Sequence, residues 1–402
     1  MIARNDYLKR LIAYKDNVII KVIVGMRRCG KSTLLQLYQE YLLKNDISFK
    51  NIIYINFELM EYDGVRGYKD LYQLLKKRID PARKTYILLD EIQQVSGWEK
   101  VVNSLVLEAD VDMYITGSNA YLLSTELSTM LSGRYVEIRM LPLSFKEYLT
   151  FQQTDEKVPL EDRFTQYVKF GSLPGTLSLP QDNTTINDYL LGIYNTVILK
   201  DVVQRNSIRD ITLLEQVLKY VVNNVGNIIS ANKISAYITS ESKGVNTVKS
   251  TTIDNYLTML ENAFILYKAL RYDIKGKENL KSLAKYYVVD TGIRNLLLGY
   301  TDTDYGHILE NIVYLELLRR GYQVFVGKWY EAEVGFVAIK QEERKYYQVT
   351  YSLMNENVKA REMAPLVAIP DNYEKIILSM DKNFITDHDG IKFMNILDFL
   401  TE

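Results

Sequence analysis

The chain has 402 residues, and its 49 Lys and Arg against 50 Asp and Glu leave a formal charge of -1. That length suits two to three domains, each with its own core, and the balanced charge excludes a wholly basic nucleic-acid coat. One cysteine (Cys29) and two histidines (His307, His388) exclude a disulfide framework and a zinc cluster of ordinary spacing, so any metal must rely on oxygen ligands or substrate phosphate.

From Met1 to Asp16, charge interrupts the apolar positions every few residues, and the apolar run that follows, Val18 to Gly25, is short and contains Lys21. Neither a signal peptide nor a membrane-spanning helix is expected, and the protein reads as cytoplasmic with no membrane partner. Short aliphatic runs then alternate with amphipathic stretches, which predicts a parallel sheet covered by helices, an α/β fold. Strands are predicted at Val18 to Val24, Asn51 to Phe57, Thr85 to Asp90, Val111 to Thr116 and Tyr135 to Met140. Helices are predicted at Lys31 to Lys44, Tyr68 to Arg78, Trp98 to Glu108 and Tyr121 to Leu131.

The first strand runs into Gly25-Met-Arg-Arg-Cys29-Gly30-Lys31-Ser32-Thr33, which fits G-x-x-x-x-G-K-[ST] at every fixed position. Backbone amides of such a loop close around phosphate oxygens, and the helix behind it presents its positive end to the same anion. Lys31 would reach the β- and γ-phosphates of ATP, and Ser32 would give its hydroxyl to Mg²⁺. Cys29 reads as a small residue filling the turn. The third strand ends Tyr86-Ile-Leu-Leu-Asp90-Glu91, placing two acids where an open α/β sheet places its ligand. Asp90 would hold Mg²⁺ through water, and Glu91 would orient and activate the attacking water. The fourth strand ends Thr116-Gly117-Ser118-Asn119, whose polar tip would bond the water or the γ-phosphate, Asn119 first and Ser118 second.

The segments GMRRCGKSTLL, YILLDEIQQVSGWEKVVNSL, TGSNAYLL and LSGRYVEIRMLPLSFKEYL together resemble the AAA-type ATPases of prokaryotes, of the AAA_14 kind, that carry a DUF4143-type C-terminal region. The later segments FGSLPG, YNTVILKDVVQR and Thr252 to Gly299 extend the resemblance over nearly the whole chain. It implies an ATP-hydrolysing P-loop core with an additional strand between the Walker A and Walker B strands, a winged-helix region and a nuclease-like end. Phosphoryl transfer gains from a positive charge near the γ-phosphate. By resemblance Arg134 is the first candidate to supply it, from the same subunit or from a neighbouring one in a homo-oligomer. Arg27 and Arg28 in the loop itself and Arg205 further on are alternatives.

Residues 151–206 read as a linker and helical lid, and 207–300 as a winged helix with an apolar face of Ile253, Tyr256, Leu257 and Leu260. Between Lys243 and Lys285 there are eight Lys and Arg against four Asp and Glu. That local excess suits contact with double-stranded DNA through Lys249, Thr252 and Asn255 on the helix and Lys275 and Lys277 at the wing tip, although a protein partner is equally open. Residues 301–402 resemble the restriction-endonuclease-like fold, with Glu310 at the helix acid. Gly335 stands where a strand acid belongs, and Gln348-Val-Thr350 replaces acid-x-Lys. With Glu333 the only nearby compensation, that is too little charge for catalytic Mg²⁺, so no nuclease activity is expected there. The expected division is 1–150, 151–206, 207–300 and 301–402. The expected activity is a Mg²⁺-dependent ATPase, with a nucleotide-gated DNA-binding or scaffold protein as the alternative.

Overall fold

The computed structural model describes residues 4–120, 131, 133–152, 158–241, 247–301, 305–382 and 387–402. They fall into two compact units, Met1–Pro142 with Asn262–Phe264, and Leu143–Glu261 with Ile265–Glu402.

In the first unit five aliphatic runs form β1 (Ile20–Val24), β2 (Ile52–Asn56), β3 (Thr85–Asp90), β4 (Val111–Gly117) and β5 (Tyr135–Arg139). They pair in the order β2-β3-β4-β1-β5, all parallel, so β4 lies between the phosphate-loop strand and the acid-bearing strand. Helix α1 (Asn5–Ala13) precedes the sheet, and crossovers are made by α2 (Lys31–Lys44), α3 (Tyr68–Arg78) and α4 (Trp98–Glu108), these three with the predicted bounds. Residues 121–130 of the helix expected at Tyr121 to Leu131 lie outside the described residues. One core joins Tyr7 and Leu11 of α1, Leu34, Leu35 and Tyr38 of α2, and Ile23, Leu88, Tyr114 and Ile138 of the sheet. Strands β1, β3 and β4 are buried along their whole length, as expected for central parallel strands covered on both faces.

Lys21 in β1 breaks that apolar pattern. Its ammonium is fully buried and forms an ion pair and hydrogen bond with Asp112 of β4. The other oxygen of Asp112 accepts the Asp16 N–H at 2.8 Å and the Tyr114 hydroxyl at 3.0 Å.

The second unit begins with α5 (Phe145–Gln152), α6 (Leu160–Phe170) and α7 (Asn183–Thr196), which continues as a π-helical segment over Val197–Gln204. Then come α8 (Ile211–Asn223), α9 (Ala231–Glu241) and α10 (Ser250–Asn262), and Ile253, Tyr256, Leu257 and Leu260 form the buried face of α10 as expected. The remaining elements are β6 (Leu266–Asp273), β7 (Glu278–Val288), α11 (Thr291–Leu298), α12 (Tyr305–Arg319), β8 (Gln323–Trp329), β9 (Ala332–Lys340), β10 (Glu343–Val349), α13 (Glu356–Ala368), β11 (Glu374–Ser379), β12 (Asp387–His388), β13 (Ile391–Asn395) and α14 (Ile396–Thr401).

Two boundaries differ from expectation. Helix α5 occupies the start of the expected linker, and residues 153–157 lie outside the described residues. The β6–β7 hairpin forms as predicted for a wing, yet β6 also pairs in parallel with β8, Arg271 to Val326 through Asp273 to Lys328. The hairpin is therefore the edge of one eight-stranded sheet, β12-β13-β11-β10-β9-β8-β6-β7, and a division at residue 300 would cut through it. The physical reason is burial: Leu266, Tyr267, Ala269 and Tyr272 of β6 need cover that a free-standing wing lacks.

Asp290 holds two segments of this unit together. It caps α11 by accepting the Ile293 N–H at 3.1 Å, and its other oxygen accepts the Ser172 N–H at 2.6 Å and the Ser172 hydroxyl at 2.8 Å. A Cβ on Gly171 would come within 2.3 Å of that carboxylate, which explains the glycine of the Phe170 to Gly175 segment. Among the described residues no helix is long and apolar enough to cross a membrane.

Candidate nucleotide-binding site

The site is built at the C-terminal ends of β1, β3 and β4. After Val24 the chain stays beside the exit of β5, where the Met140 N–H donates to the Val24 carbonyl at 2.7 Å. A Cβ on Gly25 would sit 2.1 Å from the Met140 carbonyl oxygen, so the first glycine of the motif is required by this approach. Gly30 takes the left-handed conformation (φ 104°) and caps α2, turning the chain from loop into helix. Cys29 supports the loop from the core side. Its side chain is fully buried in the main cluster, and burial pushes the thiol up. It thus fills the turn, and its side chain does not line the phosphate face.

Sequence reasoning missed Arg4. Its buried guanidinium donates to the carbonyls of Cys29 (2.9 Å), Leu141 (3.0 Å) and Pro142 (3.3 Å) and lies 4.7 Å from the Tyr7 ring centre. It ties the phosphate loop to the exit of β5 from a distant part of the chain, and no local motif marks it.

Lys31 is nearly fully buried. Its ammonium donates to the carbonyls of Gly25 (3.0 Å) and Met26 (3.1 Å) and lies 3.6 Å from a Glu91 oxygen. Thr116, at the tip of β4, connects the two acids. Its hydroxyl donates to Asp90 at 2.5 Å and accepts the Glu91 N–H at 2.9 Å. The sequence reading passed over Thr116 in favour of Asn119, although a polar residue ending a buried strand beside the acid-bearing strand was the available signal. Tyr54 donates to the other Asp90 oxygen at 3.3 Å. Burial pushes the Asp90 carboxyl up, opposed by hydrogen bonds from the Thr116 and Ser32 hydroxyls.

Glu91 itself adopts a left-handed backbone (φ 54°), a conformation that costs energy for a non-glycine residue and directs its side chain to Lys31. Burial alone would push its carboxyl up. The Lys31 ammonium, the Gln93 amide and the charge of Arg27 outweigh burial and hold it below the usual carboxylate range. Gln93 donates to Glu91 and, at 3.4 Å, to Ser118, linking the acid to the polar tip of β4. Ser118 and Asn119 are both buried there.

Comparison with known proteins agrees with this geometry. A protein of Haemophilus influenzae described as uncharacterized is 43% identical over 404 residues, covering 100% of this chain and 99% of its own. A family model described as an AAA domain, AAA_14, matches residues 17–149. Residues 17–149 are an AAA domain, and the chain belongs to one family with the Haemophilus influenzae protein. An uncharacterized protein of Methanocaldococcus jannaschii is 34% identical over 404 residues, with 94% of this chain and 87% of that protein covered. A Walker-type ATPase of Pyrococcus abyssi shares the fold at 15% identity and a TM-score of 0.51, over 74% of this chain and 96% of its own. A second family model, matching residues 161–304, is DUF8612, a domain of unknown function, rather than DUF4143.

Within this AAA core the arginines are not equivalent. Arg134 precedes β5, and β5 runs parallel to β1 with Tyr135 opposite Ile20 and Arg139 opposite Val24. Arg134 therefore lies at the N-terminal edge of the sheet, five residues or about 17 Å of strand from the edge that carries Lys31 and Glu91. The structure does not bring it to the site of its own chain. Arg27 is at that edge, with its guanidinium 3.0 Å from Glu58, just beyond β2. Arg205 is exposed in the second unit.

In the second unit, a cavity of about 480 Å³ lies where a nuclease-like site was expected and is lined by Lys285, Glu310, Glu333, Gly335, Gln348 and Glu362, among others. Lys285 had counted toward a basic DNA-facing surface. It is instead buried, with its ammonium 2.9 Å from Glu310 and 2.6 Å from Glu333, and Tyr287 donates to Glu310 at 2.5 Å. A Cβ on Gly335 would lie 2.8 Å from the Gln348 amide oxygen, which accepts the Gly335 N–H. The two departures from the nuclease pattern thus accommodate each other, because the Gln348 amide fills the space a strand acid would need. Among the described residues no group of three or more His, Cys, Asp or Glu is placed to hold a metal ion.

Of the residues expected to face DNA, Lys249 and Asn255 are exposed and Thr252 is half-buried. Lys275 and Lys277 are exposed at the β6–β7 turn, with the Lys275 ammonium 4.3 Å from the Tyr330 ring centre. Lys243 lies outside the described residues.

Proposed function

We propose that the first unit is a Mg²⁺-dependent ATPase. The observation that carries this reading is the convergence of Lys31, Asp90, Thr116 and Glu91 at one sheet edge, beside a loop whose first position only glycine can occupy. Residues Gly25 to Thr33 would cradle the phosphates, with Lys31 on the β- and γ-phosphoryl oxygens. The Ser32 hydroxyl beside the buried Asp90 carboxylate is a hard oxygen donor set that suits Mg²⁺, which keeps several waters of its own. When bound, the ion would neutralise charge developing on the phosphoryl oxygens.

Glu91, kept ionised by Lys31 and steadied by Gln93 and Ser118, would accept a proton from the attacking water. The water oxygen bonds to the γ-phosphorus as the bond to the β–γ bridging oxygen breaks, giving ADP and inorganic phosphate. Asn119 is assigned the water or the γ-phosphate, and Arg134, being remote within the chain, would act only on a neighbouring copy. The nucleotide cycle would act on the second unit, which comprises the lid, winged-helix and nuclease-like segments.

ATP turnover in Mg²⁺, abolished by EDTA, tests this reading, and its pH profile tests the base. A carboxyl held below its usual 4.5 is ionised throughout the range above about pH 5.5, and its contribution is lost only as the pH falls through its folded pKa. Turnover should therefore show no acid limb from Glu91 between about pH 5.5 and pH 9. An acid limb near neutrality that Glu91→Gln removes would show that the carboxyl is raised instead, contrary to the site described.

The second reading, DNA binding, is favoured by the exposed Lys249, Asn255, Lys275 and Lys277. Binding of duplex DNA should weaken with salt, and Lys275→Glu with Lys277→Glu should weaken it about tenfold. A shift that this double variant leaves unchanged would remove the hairpin tip from the interface.

A further inference from the structure

Arg27 is a residue of the phosphate loop that the ATPase reading leaves without a task. It occupies the third position of Gly25-Met-Arg-Arg-Cys-Gly-Lys-Ser, and its side chain is only 13% exposed. It turns along the site edge to Glu58, which is held in place by two backbone bonds: the Glu58 N–H donates to the Asn56 side chain at 2.9 Å, and the Phe57 N–H donates to the Asp90 carbonyl at 3.1 Å. The end of β2 is thus fastened to the end of β3, where the acids are. The Glu58 carboxylate is 45% exposed, so its pairing with Arg27 is open to solvent and cheap to exchange for a better anion. The charge of Arg27 is also felt at Glu91, although the nearest partner of Glu91 is Lys31.

We propose that Arg27 is a catalytic residue supplied in cis, which leaves Glu58 for the γ-phosphoryl oxygens when ATP binds, with Glu58 serving as its resting partner. This rests on the ATPase reading and extends it. A planar guanidinium carried by the loop that wraps the phosphates can meet two oxygens of the group being transferred, where negative charge accumulates. Arg134, at the other edge of the sheet, has no such access within the chain. Glu58 keeps the guanidinium beside the acids without a bound anion, so little rearrangement separates the resting and the working positions.

The test uses the full-length protein with Arg27→Ala, Arg27→Lys or Glu58→Gln, measuring equilibrium binding of ATP and of ADP and single-turnover hydrolysis in Mg²⁺. For Arg27→Ala, the rate should fall on the order of 10²–10³-fold and the preference for ATP over ADP about tenfold, with melting temperature and ADP affinity kept. Arg27→Lys should recover part of the rate, because it restores charge without the fork. Glu58→Gln should tighten ATP binding a few-fold by removing the competing carboxylate.

Unchanged rate and unchanged ATP preference in Arg27→Ala would overturn the proposal while leaving the ATPase reading intact. Recovery of Arg27→Ala on mixing with Glu91→Gln protein would overturn the assignment in cis. If the parent binds ATP without hydrolysing it, the ATP-over-ADP ratio alone decides. If the parent binds neither nucleotide, the ATPase reading fails and this proposal with it.

Discussion

Replacing Glu91 with Gln is expected to lower ATP turnover roughly 10²–10⁴-fold while ATP binding stays within a few-fold of the parent. The substitution removes the proton acceptor with almost no change in shape. It does not orphan the buried Lys31 ammonium, which keeps its bonds to the Gly25 and Met26 carbonyls. Nor does it disturb Asp90, whose Thr116 bond is independent of the Glu91 side chain. Lys31→Ala should behave differently and lose ATP binding itself, because in the proposed site the ammonium would meet the phosphates in the ground state as well as in the transition state. Calorimetric titration with ATP beside single-turnover hydrolysis separates the two. A Glu91→Gln protein that hydrolyses ATP at the parental rate would show that another group activates the water.

The largest stability effect is expected far from the phosphates. Lys21→Met should destabilise the first unit by about 3–5 kcal/mol, because it leaves Asp112 as a buried carboxylate without its cation. Burial pulls the Lys21 ammonium down, and the neighbouring Asp112 carboxylate opposes that shift. For a unit of this size the loss corresponds to a melting temperature lower by on the order of 10 °C. The double variant with Asp112→Asn should be less affected than Lys21→Met alone, since the amide keeps an acceptor for the Asp16 N–H and Tyr114 hydroxyl without an unpaired charge. Thermal unfolding of the three variants provides the cycle. Strictly additive losses would mean that Lys21 and Asp112 do not depend on each other.

That pair illustrates where sequence reading ends. Lys21 is visible as the one charge in an aliphatic run, and Asp112 as an acid near the start of another, 91 positions further on. Nothing in either run indicates that β4 lies next to β1. The same limit explains Thr116, Arg4 and Glu58. Each completes the site by reaching a residue on another segment, and each belongs to a stretch unremarkable by itself. In the second unit the β6–β7 hairpin was legible as two strands and a turn. Its membership in the eight-stranded sheet depends on β8, fifty residues further on, and Lys285 changed from presumed surface charge to buried ion only when Glu310 and Glu333 closed over it.

By itself the sequence determined the five parallel strands of the first unit, three of its helices to the residue, and the position of Gly25 to Thr33 behind the first strand and of Asp90-Glu91 at the end of the third. These features are contiguous, and their physical requirements are set within a few residues: backbone freedom at glycine, a helix start behind an anion site, an apolar run ending in acids. Tertiary structure alone decided which hydroxyl bridges the two acids, which arginine shares their edge of the sheet, and where the hairpin of the second unit belongs. Those outcomes depend on strand order and register, and the free energy that selects them comes from burying surfaces and pairing charges brought together from distant parts of the chain.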